Sequence, residues 1–223
     1  MFDDFAQRVG AVRVKICGIC HAEDAQAAVE FGADAIGLNG YAGSKRYLEI
    51  EAAGGWLAQL PPHVRRIAVL VDPTFAHALA VARLPFIDGL QLHGSESAEF
   101  CGRLAHEGVR FAKAVPVSGA DSLARLPSFQ TSWIVLDSAK AGAFGGTGLT
   151  FPWPIARSFI ESHAELKVVL AGGLTPENVA EAIRAVRPFC VDVTTGVEAS
   201  PGRKDHARVR SFIEAAHRAA ASA

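Results

Sequence analysis

Residues 167–196 read KVVLAGGLTPENVAEAIRAVRPFCVDVTTG, and this stretch decides the fold. An apolar, β-rich run, Lys167–Ala171, ends on Gly172-Gly173, and a segment of helical period, Pro176–Val186, follows it. A second apolar run, Phe189–Val193, ends on Thr194-Thr195-Gly196. Strand, glycine turn, helix and strand in such quick succession form a βαβ unit, whose two strands lie parallel. Thr175 suits the N-cap of the helix and Pro176 its first turn.

The same alternation extends towards the N-terminus. Six further runs, Val12–Cys17, Asp34–Leu38, Arg66–Val71, Ile87–Leu92, Val109–Val115 and Ser132–Asp137, have the composition of buried strands. Helical periods fall at Ala22–Phe31 and Ser95–His106, and a last one near Asp205–Ala220. Eight βα units in 223 residues match a single (β/α)₈ TIM barrel. A doubly wound open sheet is the alternative, but it usually has fewer strands and a clear switch point. No Pro-, Ser- or charge-rich linker interrupts the series, so residues 1–223 read as one domain, with 1–11 as a loose N-terminal extension.

Composition narrows the function. The chain has 22 Lys+Arg against 23 Asp+Glu, a formal charge of −1, and it is half apolar. That balance leaves no footprint for nucleic acid or an anionic membrane, so a bound anion needs a local site. MFDDFAQRVG is acidic where a signal peptide is basic, and no apolar stretch approaches the roughly 18 residues of a membrane span. Four Cys in a chain this long are too sparse for a disulfide framework, which points to a reduced, cytoplasmic protein.

Alternate strand residues point to opposite faces. Val14 and Ile16 oppose Arg13, Lys15 and Cys17; Leu90 and Leu92 oppose Gln91 and His93; Val191 and Val193 oppose Asp192 and Thr194. The aliphatic faces suit the outer helices. The polar faces then converge inside the barrel at its C-terminal end, where active sites of this fold sit. An inward Lys or Asp can also be a structural ion pair.

Gly172-Gly173 and Thr195-Gly196 follow the seventh and eighth strands, where barrels often bind phosphate through backbone N–H groups and helix N-termini. A plain tight turn is the other reading. Gly142–Gly148, which lacks the Lys-Ser/Thr ending of a Walker A loop, reads as a flap over a ligand or a flexible loop. Cys17-Gly-Ile-Cys20 is a C-x-x-C, but one pair alone is weak evidence for zinc. A thiol ending the first strand above Lys15 is better placed as a base or nucleophile, with the ammonium lowering its pKa. Cys20 could trap an oxidised Cys17 as a disulfide, or point away as an inert residue. Asp137 ends the sixth strand, three steps from the first around a ring of eight, so Cys17 and Asp137 suit a base and an acid on opposite sides of one substrate.

Together these residues resemble the phosphoribosylanthranilate isomerase family of tryptophan biosynthesis. The resemblance rests on Val-Arg-Val-Lys15-Ile-Cys17-Gly18-Ile, Gly32-Ala-Asp-Ala-Ile-Gly37, Gln91-Leu-His93-Gly94, Leu136-Asp137 and Gly145-Gly146-Thr147-Gly148. It continues through Ala171-Gly172-Gly173-Leu-Thr-Pro-Glu-Asn178, Val191-Asp192-Val-Thr-Thr-Gly196-Val-Glu and Pro201-Gly202-Arg-Lys204-Asp205. It implies a cofactor-free, metal-free barrel that converts N-(5-phosphoribosyl)anthranilate into 1-(2-carboxyphenylamino)-1-deoxyribulose 5-phosphate by an Amadori rearrangement. By that resemblance Cys17 is the general base and Asp137 the general acid. Arg46 meets the anthranilate carboxylate and Asp192 the bridging amine, while Lys15, Gln91 and His93 belong to the substrate site. Gly172, Gly173, Thr195 and Gly196 hold the phosphate.

The implied partner is this small phosphoribosyl substrate, acted on by a monomer or homodimer. Two extra glycines in Gly37-Leu-Asn-Gly40-Tyr41-Ala-Gly43-Ser44-Lys-Arg46 depart from the family pattern and are expected to loosen Arg46. Cys20 replaces a usual Thr, and Thr194 and Thr195 replace serines. Related phosphoribosyl barrels fit less well, because the dual-substrate isomerases use two Asp and indole-glycerol-phosphate synthase needs a Lys and Glu set. A sugar-phosphate-binding barrel without catalysis would keep the glycine loops but need not keep both Cys17 and Asp137.

Overall fold

The computed structural model describes residues 12–117, 119–123, 126–138 and 152–221. The N-terminal residues 1–11 and the glycine-rich stretch 142–148, expected to be an extension and a flap, lie outside the described residues.

Eight strands close into a parallel barrel in chain order: β1 Arg13–Cys17, β2 Ala35–Asn39, β3 Arg65–Leu70, β4 Gly89–Leu92, β5 Phe111–Val117, β6 Trp133–Ser138, β7 Lys167–Leu170 and β8 Cys190–Val193. β8 returns to pair with β1, which removes both sheet edges. The eight sequence runs coincide with the strands to within two residues. Around them lie α1 Ala22–Glu30, α2 Gly54–Leu57, α3 Phe75–Ala82, α4 Ala98–His106, α5 Trp153–Ser162, α6 Val179–Val186 and α7 His206–Ala221. None of these helices is long and apolar enough to cross a membrane.

The period-2 pattern sorts the core into two shells. Val14, Ile16, Ile36, Leu38, Leu90, Leu92, Val191 and Val193 face outward and pack against the helices. Burying such a side chain fully contributes about 1.5–3 kcal/mol. Inside the barrel sits a second cluster, with Ala35, Ile67, Ala112, Ala114, Trp133, Val135, Val169 and Cys190. The interior therefore has an apolar part, and Lys15, Gln91, Asp137 and Asp192 stand in it on β1, β4, β6 and β8.

Two helix starts differ from the sequence expectation. α4 begins at Ala98 rather than Ser95, because Ser97 is the N-cap and its hydroxyl accepts from the Phe100 N–H. The residues before it form a separate lock. Glu96 accepts from the N–H groups of Asp72 and Gly94 and pairs with the buried Lys113 at 2.9 Å. α6 begins at Val179 rather than Pro176, with Asn178 at the N-cap position. The Asn178 side chain accepts from the Thr175 N–H and donates to the Gly173 carbonyl, so residues 173–178 are folded as a loop. Thr175 turns its hydroxyl to the Glu177 N–H and does not cap α6.

Candidate active site

Parallel register decides which inward residues meet. Lys15 stands beside Asp192 across the β1–β8 pair, and Cys17 beside Gly37 across β1–β2. Lys15 Nζ donates to Asp192 Oδ2 at 2.7 Å and to Gln91 Oε1 at 3.0 Å. A Cβ on Gly37 would lie 2.5 Å from the Cys17 Sγ, so the thiol occupies space that only glycine leaves open.

A cavity of about 250 Å³ opens at the C-terminal ends of the strands. Cys17, Arg46, Gln91, His93, Asp137, Asp192, Gly172, Gly173, Thr195 and Gly196 all line it. Ten of the eleven residues singled out from sequence therefore share one cavity. Lys15 is not in its wall; it lies beneath, buried against Asp192 and Gln91. Among the described residues, no group of three or more His, Cys, Asp and Glu is placed to hold a metal ion.

The Asp137 carboxyl is buried at the end of β6. Its Oδ1 accepts from the Ser138 N–H at 2.7 Å, and its Oδ2 lies 3.3 Å from His93 Nε2. Gly172 makes this arrangement possible. Its φ is +82°, and a Cβ there would sit 2.5 Å from the Ser138 nitrogen and 2.8 Å from Asp137 Oδ1. The glycine turn after β7 thus both shapes the loop and admits the carboxylate next to it.

Arg46 is not loosened by its glycine-rich loop. Its Nε and Nη2 donate to Glu198 at 2.8 and 2.7 Å in a bidentate pair, which fixes the guanidinium plane. Lys204 also donates to Glu198 at 3.1 Å. One carboxylate between two cations leaves a net positive charge at this side of the mouth, suited to an anionic ligand. Sequence reasoning missed Glu198 and Lys204 as contributors to the site. The acid directly after the Thr-Thr-Gly turn was the available signal.

The Cys17 thiol also differs from expectation. Burial pushes its pKa up, and this outweighs the lowering by Lys15 and Lys204. The resting thiol is therefore protonated at neutral pH. Alkylation of Cys17 by iodoacetamide, followed by mass spectrometry of its peptide, is expected to accelerate about tenfold between pH 7 and pH 8. A plateau below pH 8 would show an already ionised thiol. The Cys20 thiol donates to the Arg46 carbonyl at 3.3 Å and lies 3.5 Å from the Cβ position of Gly202, so it points into the wall.

Comparison with known proteins agrees with this geometry. Residues 14–215 match the family model described as N-(5'phosphoribosyl)anthranilate (PRA) isomerase. The chain is 45% identical over 205 residues to the N-(5'-phosphoribosyl)anthranilate isomerase of Geobacter metallireducens, covering 92% of this chain and 98% of the relative. Its fold superposes on the crystal structure of the Thermotoga maritima phosphoribosyl anthranilate isomerase with a TM-score of 0.83, at 42% identity and with 92% and 98% of the two chains covered. A further isomerase crystal structure, in complex with reduced 1-(o-carboxyphenylamino)-1-deoxyribulose 5-phosphate, matches at 41% identity and a TM-score of 0.79 over the same shares. With a closed (β/α)₈ barrel and a polar, glycine-flanked mouth, the chain belongs to the N-(5'-phosphoribosyl)anthranilate isomerase family of enzymes.

Proposed function

We propose that the chain isomerises N-(5'-phosphoribosyl)anthranilate at this mouth, with Asp137 as general acid and Cys17 as general base. The observation that carries the reading is the convergence of Cys17, Asp137, Arg46, Asp192 and both glycine turns on one cavity. Asp137 gives its proton to the furanose ring oxygen. The C1′–O bond breaks with its electron pair going to that oxygen, and the anilinic nitrogen lone pair forms the C=N bond of a protonated Schiff base. The Schiff base acidifies the C2′ proton, which the Cys17 thiolate takes. The enolamine then tautomerises to the ketone.

The resting thiol must release its proton to solvent at the mouth before this step. Lys15 and Lys204 already favour the thiolate, and the Schiff-base cation adds a third positive charge. The same geometry supports the binding roles. The backbone of Gly172, Gly173, Thr195 and Gly196 takes the phosphate. Arg46, with two nitrogens on Glu198, offers Nη1 to the anthranilate carboxylate. Asp192 Oδ1 is buried and without a hydrogen-bond partner among the described residues, which fits acceptance from the bridging amine. The setting is the cytoplasm, and the working unit a monomer or homodimer.

Freshly prepared phosphoribosylanthranilate incubated with the full chain is expected to yield the ketose, identified by ¹³C NMR of its carbonyl. Binding of the product analogue without turnover would instead establish a sugar-phosphate-binding barrel.

A further inference from the structure

The polar residues beneath the barrel mouth form one continuous chain of contacts, three of them hydrogen bonds and the last a close approach. Asp192 Oδ2 accepts from Lys15 Nζ at 2.7 Å, and Lys15 Nζ donates to Gln91 Oε1 at 3.0 Å. Gln91 Nε2 lies 3.1 Å from His93 Nδ1, and His93 Nε2 lies 3.3 Å from Asp137 Oδ2. The chain spans the barrel from β8 through β1 and β4 to β6, and it ends on the group assigned as the general acid.

Donor and acceptor chemistry gives this chain a direction. Burial alone would depress the Lys15 pKa, but the Asp192 carboxylate 2.7 Å away outweighs it and raises the pKa, so the amine is an ammonium. An ammonium only donates, so the amide of Gln91 must present its oxygen to Lys15 and its NH₂ to His93. The NH₂ also only donates, so His93 Nδ1 accepts and carries no proton. A neutral imidazole then has its proton on Nε2, the nitrogen 3.3 Å from Asp137 Oδ2.

We propose that Lys15, acting through Gln91, fixes His93 as the neutral Nε2–H tautomer, and that His93 is thereby a positioning residue for Asp137. The proposal rests on the reading of Asp137 as the acid. When Asp137 gives its proton to the ring oxygen, negative charge develops on its carboxylate, and the His93 N–H stands 3.3 Å from Oδ2, within reach to donate to it. A donor set in place before charge develops needs no reorganisation during the reaction. The other tautomer would present a lone pair to the same oxygen and oppose the transfer. An imidazolium would hold Asp137 ionised and leave it no proton to give. Occupation of Nδ1 by the Gln91 NH₂ guards against both. Asp192 therefore sets the charge of Lys15 at one end of a chain whose other end is the acid.

The test reads the tautomer directly. In full-length protein labelled with ¹⁵N-histidine, long-range ¹H–¹⁵N spectra at neutral pH are expected to show His93 protonated at Nε2 and bare at Nδ1. The resonance is identified by its loss in His93→Gln. Gln91→Glu, which accepts where the amide donated, is expected to move a proton onto Nδ1. Its kcat should fall about 10- to 100-fold, somewhat less than the roughly 10²–10³ lost with an oxyanion donor, while KM stays within about twofold.

His93→Gln can place an amide N–H near the Nε2 position and should retain at least about tenfold more kcat than His93→Ala. A wild-type His93 protonated at Nδ1, or at both nitrogens, would overturn the proposal without any variant having to fold. An unchanged tautomer in Gln91→Glu, or equal kcat in His93→Gln and His93→Ala, would also overturn it. Failure of the acid assignment shows separately, as full activity in Asp137→Asn with the tautomer intact.

Discussion

Asp137→Asn and Cys17→Ala are each expected to lower kcat about 10²–10⁴-fold while KM changes little, because a positioned acid or base acts mainly in the transition state. The two losses have different origins. Asn at 137 keeps the shape of the carboxyl and an oxygen that can accept from the Ser138 N–H, but it has no proton to release to the ring oxygen. Ala at 17 leaves the β1–β2 register intact and removes the thiol that lines the cavity. Steady-state kinetics with freshly made substrate distinguish a chemical loss from a folding loss, provided both variants still bind the product analogue in calorimetry. Turnover within tenfold of wild type in either variant would remove that residue from the mechanism.

Gly196→Ala is expected to act on binding rather than chemistry. A Cβ at this position would collide with the Leu174 carbonyl oxygen, which belongs to the facing glycine turn. One of the two loops must then move back from the phosphate. Hydrogen bonds to a charged group contribute about 1.5–3 kcal/mol, so KM is expected to rise roughly 10- to 100-fold with kcat much less affected. Calorimetry provides the control. A product analogue lacking its phosphate should bind wild type and Gly196→Ala alike, whereas the phosphorylated analogue should distinguish them strongly. Equal affinity of wild type for the two analogues would place the phosphate elsewhere.

Much of the site is legible in the amino-acid sequence. A period of two in β1, β4 and β8 separates Lys15, Cys17, Gln91, His93 and Asp192 from the aliphatic residues between them, and alternation is a local property of extended backbone. Glycines after the seventh and eighth runs mark turns for the same local reason. The start of α6 is not legible, because Thr175-Pro176 is a sound helix opening in isolation. It is displaced by Asn178, whose side chain ties the loop to Gly173 and Thr175.

The amino-acid sequence by itself determined the eight strands, the inward polar faces and the strand ends that carry Cys17 and Asp137, since each depends on neighbours a few residues apart. Only the tertiary structure decided how those groups are wired. Lys15 meets partners 76 and 177 positions away, and Arg46 is held by Glu198 across 152 residues. The Cys17 thiol is raised by burial rather than lowered by its neighbour Lys15, because desolvation depends on everything packed around a group. Closing the barrel brings distant strands together in one low-dielectric interior, and there charge, tautomer and donor direction depend on partners that no local pattern names.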